Sequence, residues 1–135
     1  MVKDNAIELA RFRLEQSREC LTVAETNLET SLNSSINRSY YSVFHAMRAV
    51  LALDRFESKT HKGVINEFRR RYIKTEVFPR HFSDIIEKAF DVRGDSDYSD
   101  FFLVDESEVR QQLDNATEFL KAVESYLNPL LEAQP

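Results

Sequence analysis

Apolar residues recur at steps of three and four along almost the whole chain. In the first segment, about 3–31, Ile7, Ala10, Leu14, Leu21, Ala24 and Leu28 are separated by 3, 4, 7, 3 and 4. That spacing puts them on one face of a helix of 3.6 residues per turn. A strand would instead need alternation. An all-β chain also needs turn residues every few positions, and these 135 residues hold two glycines and three prolines. The pattern predicts an all-α chain, a single domain over 1–135.

The same period places the later helices. Asn33-Ser34-Ser35 breaks the first stripe and offers N-cap side chains. A second helix, about 35–53, lines up Ile36, Tyr40, Val43, Phe44, Met47, Val50 and Leu51. Asp54 to Thr60 is a polar connection, with Ser58 or Thr60 available to cap a third helix over about 61–73. Pro79 interrupts, because it lacks an N–H and restricts Phe78 before it. A fourth helix, about 82–93, takes Ser83 as its N-cap and Gly94 as a left-handed C′ residue. An acidic loop, 94–105, carries Phe101-Phe102. Asp105 or Ser107 starts a last helix, about 106–131, which Pro129 kinks or ends. Short connections favour antiparallel neighbours, so the expected architecture is an up-and-down bundle of about five helices.

Charge narrows the function classes. The net charge of −5 argues against general nucleic-acid binding, and no DNA is expected as a partner. Residues 55–81 nevertheless hold eight Lys/Arg against three glutamates, while 91–108 hold seven acids against Arg93 alone. Within the basic element, Lys62, Arg69 and Arg70 are candidate nucleotide or RNA contacts. One cysteine, Cys20, excludes an internal disulfide. The histidines His45, His61 and His81 are not at i, i+4 spacing, so neither a metal nor another cofactor is expected. With no apolar run of about 18 residues and no apolar leader at Met1–Asn5, no membrane is expected, and the chain reads as cytoplasmic.

Polar chemistry concentrates at two places. Arg93-Gly94-Asp95-Ser96-Asp97-Tyr98 sets a cation, two carboxylates and a phenol within six residues. On the second helix, Tyr40 and Tyr41 point about 100° apart, so both cannot face one core. His45 lies beside the apolar face, where a neighbour is expected to satisfy it, and His61 sits at a helix start.

Four segments in order resemble one family. Asn37-Arg38-Ser39-Tyr40-Tyr41-Ser42-Val43-Phe44-His45-Ala46 looks like the N-R-x-Y-Y-x-x-F-H-A helix of small HEPN-domain proteins. Thr60-His61-Lys62-Gly63-Val64-Ile65, then Phe68, resembles their K-H-x-x-V-I segment. Arg93 through Asp97-Tyr98 resembles their R-x-x-x-D-Y, and a long closing helix follows. The resemblance implies a bundle of four or five helices that usually dimerises. It also implies a link to nucleotidyltransferases and toxin–antitoxin modules. Arg38, Tyr41 and His45 then become candidates for the dimer cleft, and Arg93, Asp97 and Tyr98 for catalysis. Many such proteins are metal-independent RNases, in which a histidine follows the arginine by four to six residues. Here no histidine follows Arg93. The expected function is therefore a homodimeric interaction module, linked to a small nucleotidyltransferase or an RNA-related system. The alternatives are a divergent ribonuclease using Arg93 with Asp97 or Tyr98, and a nucleotide-binding regulatory domain using the basic element. In some relatives a tyrosine near this motif accepts a nucleotide, and Tyr98 is the candidate here.

Overall fold

The structure is a computed structural model that describes residues 5–98 and 104–133, with residues 95–98 described in their backbone only. Its elements are α1 (Asn5–Asn27), α2 (Leu32–Leu53), α3 (His61–Phe68), α4 (His81–Tyr98) and α5 (Glu106–Glu132), and no strand occurs among the described residues. A five-residue π-helical turn, Arg69–Ile73, continues α3. The expected all-helical bundle is what forms. No helix among the described residues is long and apolar enough to cross a membrane.

Helix α2 is the centre, packed against each of the other four. It lies antiparallel to α1 along a seam of small residues, Ala10, Ser17 and Ala24 against Ser35, Ser42, Ala46 and Ala49. Small side chains let the two backbones approach. Three of the hydroxyls that this buries are satisfied across the seam, whereas Ser39 Oγ is buried with no hydrogen-bond partner among the described residues. Ser17 Oγ donates to the Ser42 carbonyl at 2.7 Å, Ser42 Oγ to the Ser17 carbonyl at 3.0 Å, and Ser35 Oγ to the Ala24 carbonyl at 2.7 Å. On the other side of α1, Arg11 donates to the Leu131 carbonyl and Arg18 pairs with Glu124, so α5 also runs antiparallel to α1.

The core is aromatic where α3, α4 and α5 meet. Phe119 is fully buried and stacks on Phe82 at 4.9 Å, with Phe68 at 5.7 Å. Phe78 stacks on both Phe68 and Phe82, at 5.5 and 6.0 Å. The third helical segment ends at Ile73, Glu76 turns the chain with a φ of 63°, and Pro79 lies in the connection beyond, with Phe78 before it folded inward. A smaller cluster of Ile36, Val92 and Val109 joins α2, α4 and α5.

Four local expectations need correction. The break before α2 lies earlier, and Ser31 rather than Asn33–Ser35 is its N-cap, accepting the Ser34 N–H at 3.2 Å. Helix α4 begins at His81, so Ser83 is helical; its carbonyl takes a hydrogen bond from Arg69. Gly94 does not end α4, which runs on to Tyr98 without a positive φ at any glycine. A glycine costs a helix only about 1 kcal/mol relative to alanine and need not stop it. The segment 94–98 is therefore helix, whereas Phe101 and Phe102 lie outside the described residues. Pro129 sits inside α5, which continues to Glu132. The carbonyl it leaves without an N–H belongs to Ser125, which is exposed to solvent. Asp105 and Thr60 do cap α5 and α3 as expected.

Candidate functional site

Thirteen of the 22 residues of α2 are buried. The exception along its central stretch is a line at steps of 3, 4 and 3: Arg38, Tyr41, His45 and Arg48, each half-buried. Such steps follow one helix face, so the four side chains form a stripe. Because the rest of that central stretch faces the core, this stripe is what the middle of the helix shows to the outside.

Arg93 of α4 closes on the stripe. Its Nη2 donates to the Tyr41 hydroxyl at 3.1 Å, and its Cζ lies 5.4 Å from the Tyr40 ring and 5.6 Å from the Tyr41 ring. Arg38 places its Cζ 5.0 Å from the same Tyr41 ring. It also donates to Asn37 Oδ1 at 2.8 Å and meets the Cys20 Sγ at 3.9 Å. Arg48 lies over Phe44 at 5.7 Å. A guanidinium resting on an aromatic face keeps its charge and much of its donor fork. Tyr41 thus carries two cations. The two tyrosines divide as their 100° separation requires, with Tyr40 at 1% exposure in the core and Tyr41 in the groove.

His61 reaches the groove from the first turn of α3. Thr60 Oγ1 accepts the Gly63 N–H at 3.0 Å and fixes where that helix starts. Gly63 is needed there, since a Cβ would fall 2.0 Å from Ser58 Oγ. The His61 ring stacks on Phe44 at 4.2 Å, and its Nδ1 is 2.6 Å from the Tyr40 hydroxyl. Burial, then the charges of Arg93 and Arg48, lower its pKa. Burial pushes the Tyr40 phenol far above its ordinary range.

His45 packs beside Tyr41 and Phe44 at the boundary of the core, as its spacing implies. Its Nδ1, however, is buried with no hydrogen-bond partner among the described residues, contrary to expectation. Burial first, then the charges of Arg48, Arg38, Arg13 and His61, hold its pKa down at about 4. Both imidazoles are therefore neutral near pH 7. Since the unfolded His45 titrates near 6.5, the unfolded chain binds more protons between pH 4 and 6.5. Stability from this group is full above pH 6.5 and is lost as pH falls toward 4. Allowing for solvent around a half-buried ring, about 1–2 kcal/mol should disappear over that window. Urea unfolding at pH 7 and pH 4.5 measures it. A His45→Gln chain should lose correspondingly less.

Beside the stripe, a cleft of about 560 Å³ opens between α1 and α2, lined by residues that include Gln16, Cys20, Thr22, Arg38 and His45. The groove therefore continues past Arg38 on the α1 side.

The structure brings together Arg38, Tyr41, His45 and Arg93 and adds Tyr40, Arg48 and His61. Arg48 had a signal in the sequence, three residues after His45 on the same face. The other candidates lie elsewhere. Lys62 and Arg69 line a separate groove of about 180 Å³ between α3 and α4, beside Phe90, Glu87 and Asp91. Arg69 donates to the Ser83 carbonyl at 3.1 Å. Arg70 is held by Glu67 through two hydrogen bonds, 2.9 and 2.7 Å. Arg71 binds the same carboxylate at 2.6 Å. These contacts keep Glu67 ionised down to about pH 2. The side chains of Asp97 and Tyr98 lie outside the described residues. Among the described residues, no group of three or more His, Cys, Asp or Glu is placed to hold a metal ion.

Comparison with known proteins agrees with this picture of the chain. The family model of the HEPN domain matches residues 10–126. A "UPF0332 protein" of Thermotoga maritima is 30% identical over 132 residues, covering 97% of this chain and 98% of that one. Two proteins of Methanocaldococcus jannaschii that carry the name "Putative toxin" are each 29% identical. One aligns over 112 residues, 77% of this chain and 76% of its own, and the other over 87, 64% and 65%. With the match spanning the stripe on α2, the start of α3 and Arg93 on α4, the chain belongs to the HEPN-domain family.

Proposed function

We propose that this protein is a homodimeric HEPN interaction module of a toxin–antitoxin or related RNA system, working with a small nucleotidyltransferase. Its groove holds a phosphate of RNA or a nucleotide and does not cut it. One observation carries the reading. Arg38, Arg48 and Arg93 gather on aromatic rings along a single line of a protein whose net charge is −5. Locally concentrated cations of this kind attract a phosphate oxyanion despite the overall sign. Aromatic faces between them offer bases a stacking surface. A proton-transfer centre poised near pH 7 would need an imidazole that titrates there. Burial and the arginines hold His45 well below that range and lower His61 from its ordinary value. The relatives named "Putative toxin" support the link to toxin–antitoxin modules.

A second reading, metal-independent cleavage, has a specific observation in its favour. No histidine follows Arg93 in the sequence, yet His61 and Arg93 lie beside the same two tyrosine rings in space. The readings separate cleanly. The module should sediment as a dimer at micromolar concentration, co-purify with a co-expressed small nucleotidyltransferase, and leave a labelled RNA intact in EDTA. A monomer that binds no transferase contradicts it. Cutting in EDTA that Arg93→Ala abolishes establishes the second reading instead.

A further inference from the structure

Tyr40 is 1% exposed, and the one hydrogen bond of its hydroxyl among the described residues is to His61 Nδ1, at 2.6 Å. Either atom can supply the proton in principle. If Nδ1–H donated, the phenol hydrogen would be left without an acceptor in a closed site, which is costly. The phenol itself stays protonated, because burial disfavours its anion. The O–H therefore donates to Nδ1, and the neutral imidazole carries its proton on Nε2. Nε2 makes no hydrogen bond to a described residue and is not enclosed. Stacking on Phe44 at 4.2 Å and near-parallel packing on Tyr40, 17° between the rings, fix the plane in which it points.

We infer that His61 Nε2–H is an oxyanion donor that works with Arg93, and that Tyr40 is the positioning residue that holds His61 in the donating tautomer. The ligand chemistry is a phosphate oxygen, either a free phosphate or the diester of an RNA strand. The inference rests on the phosphate-holding groove proposed above and deepens it by naming a neutral donor beside the cations. It carries a consequence for the chemistry too. A nitrogen that already bears a proton gives a hydrogen bond and cannot take the proton of an attacking hydroxyl, so this imidazole favours holding a phosphate over breaking its ester.

The test is imidazole 15N NMR at pH 7 on the full chain, titrated separately with inorganic phosphate and with the dinucleotide UpU. His61 should appear as the Nε2–H tautomer, with Nε2 shifting on titration. A shift with phosphate and UpU alike identifies the free oxyanion as sufficient, and a shift with UpU alone identifies the diester. Tyr40→Phe should leave the fold intact and give His61 a mixture of tautomers. UpU affinity should then fall about threefold to tenfold. His61→Gln, which keeps an N–H donor, should bind better than His61→Ala. An Nδ1–H tautomer in the unmodified chain overturns the inference. So does an Nε2 that neither ligand shifts while Arg93→Ala still weakens RNA binding, an outcome that leaves the groove proposal standing. RNA binding indifferent to Arg93 removes that proposal as well.

Discussion

Arg93→Ala should lower the affinity for a short single-stranded RNA by about tenfold to a hundredfold. Hydrogen bonds to charged groups contribute about 1.5–3 kcal/mol, and each 1.4 kcal/mol is a factor of ten. The guanidinium is steadied before any ligand arrives, by the Tyr41 hydroxyl at 3.1 Å and by two aromatic faces. Little side-chain freedom is left to lose on binding, so most of the contact shows up as affinity. Arg93→Lys should fall between the two, because it keeps the charge and loses the planar fork. The change should barely disturb folding. Arg93 is half-buried at the groove, over the Tyr40 ring and away from the Phe68, Phe82 and Phe119 cluster, and a melting temperature within about 4 °C of the unmodified chain is expected. Fluorescence anisotropy with a labelled oligonucleotide, alongside thermal unfolding, separates the two effects. Equal affinities would remove Arg93 from the site.

Phe119→Ala should cost about 3–5 kcal/mol, the range for deleting a large aromatic side chain from a core. Phe119 has no exposed surface and joins Phe82 of α4 to Phe68 of α3. Removing its ring leaves a cavity where three helices meet. Those helices cannot collapse into it without also pulling Phe78, which stacks on both neighbours. A small domain is commonly stable by only about 5–15 kcal/mol, so the substituted chain should unfold at much lower urea with an unchanged slope. Phe12→Ala is the control. Phe12 is 60% exposed on α1 and should change stability by less than about 0.5 kcal/mol. Comparable losses from both would contradict the packing described here.

The helices were legible because burial imposes a 3.6-residue period, and each stripe from Ile7 to Leu127 follows it. Their ends were read less well. Gly94 and Ser83 are residues that terminate helices when nothing opposes them, but packing of Phe82, Ile86 and Val92 carries α4 through both. The π-helical turn at Arg69–Ile73 has no one-dimensional signal. Its extra residue gives Lys74 a hydrogen bond to the Arg69 carbonyl, and Arg70 and Arg71 both reach Glu67. A charge count over 55–81 cannot register that pairing, so the basic element looked more available than it is.

The site divided in the same way. Arg38, Tyr41 and His45 share one helix face, so spacing alone groups them. Arg93 and His61 join them only because α4 and α3 pack against α2 at the same level, and no spacing rule contains that. The missing histidine after Arg93 remains missing from its own helix, yet an imidazole stands beside the same tyrosine rings. What the sequence could not supply was the tautomer of that ring, which depends on a phenol 21 residues earlier in the chain.

The salt dependence of RNA binding tests the central claim most directly. For a single strand, the slope of log affinity against log salt is about −0.7 for each phosphate neutralised. If Arg38 and Arg93 each hold a phosphate oxygen of different phosphates, the Arg38→Ala, Arg93→Ala double variant should have a slope shallower by about 1.4. If they share one phosphate, the change should be about 0.7. An unchanged slope and an unchanged affinity would contradict the account, because the groove would then be bearing none of the ligand's charge.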